Sequence, residues 1–88
     1  MGKKQEIEPF PQRELDLMFW QYVQGAKDVL ESLPSKVIPT AEDRAQKINT
    51  FIKTKLVHIQ KMHSGRRPSF DIKAEIIMGE ITLKKIPI

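Results

Sequence analysis

The 88-residue chain is expected to adopt an α+β fold, an antiparallel two-helix hairpin followed by a C-terminal β-hairpin. Three observations predict this. Two long segments carry apolar residues at helical spacing, a short link bounded by prolines joins them, and beyond Pro68 the apolar period drops to two. A chain of this length builds one modest core, so residues 12–88 read as a single domain and residues 1–11 as a flexible N-terminal arm.

Within the arm, Pro9-Phe10-Pro11 favours an extended path. Phe10 is placed to anchor it on the domain, and Pro11 suits the first helical position. From Gln12 to Leu33 the residues Leu15, Met18, Phe19, Tyr22, Val23, Ala26, Val29, Leu30 and Leu33 fall on one stripe. Acidic and amide side chains occupy the other side. Gly25 interrupts this helix and suggests a kink or a close approach. Pro34 ends it.

Residues 34–39 form a connection stiffened by two prolines. Thr40 then has the chemistry of an N-cap, with Asp43 three residues on as a capping-box partner. The second helix is expected from Ala41 to about His63, with a core stripe of Ala41, Ala45, Ile48, Ile52, Leu56 and Ile59. Ser64-Gly65 and Pro68 mark its end.

After Pro68, Phe70, Ile72, Ala74, Ile76 and Met78 alternate with Asp71, Lys73 and Glu75, the period of a half-buried strand. A type II′ turn at Gly79-Glu80 pairs Met78 with Ile81, Ile76 with Leu83 and Glu75 with Lys84. Residues 69–86 also tolerate a helical reading with Ser69 as cap. In the hairpin, Ile77, Ile86 and Ile88 lie on the second face, a possible edge for pairing between subunits.

Charge divides the chain. Residues 1–33 hold four basic and six acidic side chains, a net of −2, and residues 34–88 hold eleven and five, a net of +6. The stretch Arg44–Phe70 contains seven basic residues, two histidines and no carboxylate. On a helical wheel Arg44, Lys47, Lys55, His58 and Lys61 share an arc of roughly 120°, and Phe51 lies inside it. Arg66 and Arg67 extend the stripe past the helix end. Cations with an interleaved aromatic suit a phosphate backbone and an unstacked base. The same run also suits a solvated helix face.

The functional expectation is therefore a small non-enzymatic basic protein that contacts nucleic acid or another polyanion through Arg44, Lys47, Phe51, Lys55, His58, Lys61, Arg66 and Arg67. The alternative is a protein-interaction or oligomeric assembly module using Leu17, Trp20 and the C-terminal edge strand near Ile86, since Leu17 and Trp20 fall off the core stripe. Self-association, as a homodimer or larger homo-oligomer, is expected on either reading.

Catalytic and metal chemistry find little support. Cysteine is absent, so no thiolate zinc site exists. His58 and His63 are five apart and do not share a helix face. No glycine-rich phosphate loop, nucleophile elbow or convergent carboxylate pair occurs. No cofactor is implied. No apolar run approaches the length of a membrane span, and Met1–Glu6 shows neither a signal h-region nor a myristoylation pattern, so a cytoplasmic setting without membrane contact is expected.

Overall fold

The computed structural model describes residues 10–88. Helix α1 spans Gln12–Ser32 and helix α2 spans Ala41–Met62; strand β1 spans Phe70–Ile77 and strand β2 spans Glu80–Pro87. The fold is α+β, a helical hairpin followed by a β-hairpin. The flexible arm expected at residues 1–11 lies, over its first nine positions, outside the described residues.

Local chemistry sets the helix ends. The Pro11 carbonyl accepts from the N–H groups of Glu14 and Leu15, so Pro11 occupies the N-cap, one position earlier than expected. Thr40 Oγ1 accepts from Asp43 N–H at 3.0 Å and caps α2. At the other end of α2, Ser64 (φ 58°) and Gly65 (φ 84°) turn left-handed, and Gly65 N–H returns to the Gln60 carbonyl at 2.7 Å. That six-to-one bond is a Schellman stop. The close approach suggested by Gly25 is not present, because a Cβ built there meets nothing within 4 Å, and α1 runs through it without a break in helical structure.

The core is a single cluster. Leu15, Phe19 and Val23 from α1 meet Ala45, Ile48, Ile52 and Ile59 from α2, and Ile72, Ala74 and Ile81 of the hairpin close over them. Burial of each large apolar side chain contributes about 1.5–3 kcal/mol. Of the residues expected on the α1 core stripe only Leu15, Phe19 and Val23 are fully buried, and two are exposed, Tyr22 at 45% and Val29 at 61%. Only two helices and a two-stranded sheet are present among the described residues, so the apolar arc that can be covered is narrower than the arc the sequence offers.

The β-hairpin forms, but its turn differs from the expected one. Met78 (φ 52°) and Gly79 (φ 82°) are the two central residues, flanked by the pair Ile77↔Glu80. Positive φ at both positions is a type I′ turn. Gly79 satisfies either turn type, which is why turn chemistry alone misplaced it. The pairs are Ile76↔Ile81, Ala74↔Leu83, Glu75↔Thr82 and Lys73↔Lys84. This is a slip of two residues, so every side chain that stays within the strands keeps its face. The expected Glu75–Lys84 pair is lost, and Lys73 instead lies 3.7 Å from Glu75. Met78, expected on the buried face, is at the turn and 97% exposed.

Two polar contacts dock the hairpin. The half-buried amide of Asn49 donates to the Ala74 carbonyl (3.1 Å) and accepts from Ala74 N–H (2.8 Å), standing in for a neighbouring strand. Asp16 on α1 accepts from both N–H and Oγ of Ser69, just before β1. Burial pushes the Asp16 carboxyl up, but the bonds from Ser69 and Gln12 and the nearby charge of Lys85 outweigh it and hold the group below its ordinary value.

Two stability outcomes are expected. Asn49→Ala leaves Ala74 N–H and C=O without partners beside the core and lowers the unfolding free energy by about 2 kcal/mol, measured by urea denaturation. Met78→Asn removes the cost of a left-handed methionine and supplies the Asn-Gly pair that type I′ turns favour. It raises stability by about 0.5–1 kcal/mol, seen as a higher Tm in dilute solution.

Candidate functional site

The hairpin covers one side of the seam between α1 and α2 and leaves the other side open. On α2 the buried positions Ala45, Ile48, Ile52 and Ile59 occupy one arc, and Asn49 marks its hairpin side. Lys47, Phe51, Lys55, His58 and Lys61 begin at the seam with α1 and turn away from the hairpin. Lys47 to Lys61 covers about 21 Å of helix.

The centre of this face is a cation between two rings. Lys55 Nζ lies 4.1 Å from the Tyr22 ring centroid and 5.5 Å from that of Phe51. Phe51 is half-buried against the core, whereas Tyr22 is nearly half exposed. Lys47, His58 and Lys61 are exposed around them. Among the described residues the ion pairs are Lys27–Glu31 and Lys73–Glu75, so no carboxylate forms a direct ion pair with Lys47, Lys55 or Lys61, although Asp43 stands one turn before Lys47. Beside Lys47 lies a shallow groove of about 490 Å³ bordered by Val37, Pro39, Asp43, Gln46 and Thr50.

The remaining expected site residues are engaged elsewhere. The Arg44 guanidinium donates to the carbonyls of Leu30, Leu33 and Ile38, satisfying the C-terminus of α1 and the link after it. Its charge is turned inward and does not join the open face. Arg66 donates to the Phe10 carbonyl and to Gln12 Oε1, fastening the start of α1. The backbone carbonyl of Arg67 accepts from Gln12, and the Arg67 Nε is buried with no hydrogen-bond partner among the described residues. Both arginines therefore lie at the α1 start, past the end of the lysine stripe.

Tyr22 is the residue that sequence reasoning missed. It was grouped with the core because its spacing fits the α1 stripe. Its spacing places it inside the stripe, and the signal that sets it apart is its phenol tip, which tolerates water where the purely apolar neighbours do not.

The histidines show no metal geometry. His58 and His63 border one gap of about 40 Å³ together with Met18 and Met62, and the His63 ring lies 4.9 Å from that of Phe10. Among the described residues no group of three or more His, Asp or Glu side chains converges.

The proposed partner residues split. Trp20 is half-buried, with Phe70 edge-on at 6.5 Å and Lys85 Nζ 4.7 Å above its ring. Leu17 stays 51% exposed and Ile86 38% exposed. No described helix is long and apolar enough to cross a membrane. Compared with family models, curated proteins and solved structures, the chain matches none.

The placement of Arg44 yields a prediction. Arg44→Gln loses charge-assisted bonds to three carbonyls and lowers the unfolding free energy by about 2 kcal/mol, measured by denaturant titration. The lysines of the open face keep their charge in this variant.

Proposed function

We propose that the chain is a non-enzymatic binding module for a polyanion, with single-stranded nucleic acid the best match to its chemistry. The observation that carries this reading is the side of the helical hairpin away from the β-hairpin, where among the described residues Lys47, Lys55 and Lys61 have no ion-pair partner and flank the Tyr22 and Phe51 rings. Three lysines along about 21 Å of helix track a phosphate backbone, and counterion release drives association. Lys55 covers one face of the Tyr22 ring, and the part of the ring that stays exposed is where a base can stack, next to that cation. His58 adds a donor at neutral pH. Arg66 and Arg67 lie at one end of this path. Among the described residues this face offers a shallow groove beside Lys47 and a gap of about 40 Å³ beside His58 rather than a base-shaped pocket, so the binding is sequence-tolerant. A cytoplasmic setting suits a nucleic-acid partner. The assembly reading through Leu17, Trp20 and Ile86 is the weaker of the two, because Trp20 is half-buried against Phe70 as well as lying under Lys85 and so offers less free ring than Tyr22.

The test is anisotropy titration of labelled single- and double-stranded oligonucleotides over a range of salt. With three phosphate contacts, log K for a single strand falls with log salt at a slope of about −2. Lys47→Ala, Lys55→Ala and Lys61→Ala combined flatten that slope towards zero. Tyr22→Ala weakens binding at least about fivefold without changing the slope. Absence of binding at low salt, or a triple variant that binds as the parent does, contradicts the proposal.

A further inference from the structure

The two edges of the β-hairpin are not equivalent. Asn49 takes both the N–H and the carbonyl of Ala74, so the Ala74 backbone points away from β2. The pair Ala74↔Leu83 is therefore a non-hydrogen-bonded pair, and the backbone of Leu83 points away from β1. By alternation, Ile81, Leu83 and Lys85 present their N–H and C=O groups on the outer edge of β2, and Pro87 ends the series because it has no N–H. No described residue bonds to these groups. The β1 edge is blocked by Asn49 and by Asp71, whose carboxylate accepts from Ile72 N–H; the β2 edge is open.

That edge borders a groove of about 260 Å³, walled on the other side by Trp20, Gln24, Lys27 and Asp28 of α1. A strand added there gains backbone bonds from β2 and a floor from α1.

We propose that the occupant is β2 of a second copy of this chain, paired antiparallel about a two-fold axis at Thr82. The reason is self-complementarity. Only registers that oppose outward residues form the ladder, and of these the one centred on Thr82 sets Ile81 against Leu83 of the other copy on the inner face. On the outer face it sets Glu80 against Lys84, and by symmetry Lys84 against Glu80. It also brings Met78, 97% exposed at the turn, beside the exposed Ile86 of the other copy. Centring on Lys84 sets two lysines face to face, and centring on Leu83 opposes Glu80 to Ile86. The product is a four-stranded sheet, β1-β2-β2-β1, with all four helices on one side. Its edge lies on the hairpin side of the molecule, so the pairing does not depend on polyanion binding.

Sedimentation of the nuclease-treated full chain from micromolar to millimolar concentration tests this, together with Glu80→Lys, Lys84→Glu and the double reversal. A monomer–dimer equilibrium is expected. Each single variant opposes like charges twice and weakens dimerisation at least about tenfold. The double reversal restores it. An equal mixture of the two single variants associates as a heterodimer, because every contact then joins opposite charges. Both side chains are exposed, and unchanged thermal unfolding of the dilute variants verifies their fold. A parent that stays monomeric throughout, a dimer indifferent to both reversals, or single variants that fail to associate on mixing overturns the proposal.

Discussion

One side-chain amide decides how the two halves of this protein meet. Asn49 treats β1 as a neighbouring strand would, bonding to N–H and carbonyl of the same residue. A two-stranded hairpin is marginal in water on its own, and apolar contact through Ile72, Ala74 and Ile81 does not by itself fix where along α2 it sits. The amide does, because both bonds form at one position only. Once Ala74 is held there, the outward and inward backbone groups of every other residue in the sheet follow from alternation. The same contact leaves the second strand with an edge to offer.

Docking on one side also determines what remains accessible on the other. The core is used up by the hairpin, and the seam between the helices is left to Tyr22, Phe51 and Lys55. The acidic first helix and the basic second helix do not neutralise each other across that seam; within the described residues the recorded ion pairs are local to α1 and to β1. Asp16 faces Ser69 on the hairpin side instead. Uncompensated charge on one face is a route to an anionic partner and also keeps that face from associating with itself. The polar edge of β2 carries no such penalty, since Glu80 and Lys84 alternate there.

Much of the architecture was legible in the sequence for identifiable reasons. Pro34, Thr40, Ser64-Gly65 and Pro68 punctuate the chain with residues whose backbone preferences are strong, and the shift from helical to alternating spacing after Pro68 is unambiguous in Ile72, Ala74 and Ile76. What failed was whatever depended on contact between elements. Gly79 fits two turn types, and only docking on α2 chooses between them. Arg44 reads as a surface cation until the end of α1 is seen to leave three carbonyls within its reach. Tyr22 and Val29 share the core period but fall where no third layer covers them. Asn49 carried no signal at all, because an asparagine on a helix is ordinary until a strand edge is placed beside it.

The arrangement is tested most directly by amide hydrogen exchange resolved by residue in dilute protein. The Ala74 and Thr82 amides are predicted to exchange slowly, held by Asn49 and by β1, while the Leu83 and Lys85 amides exchange rapidly from an unpaired edge. Rapid exchange at Ala74 with slow exchange at Leu83 would mean that the hairpin meets the helices by its opposite edge, and would contradict the account.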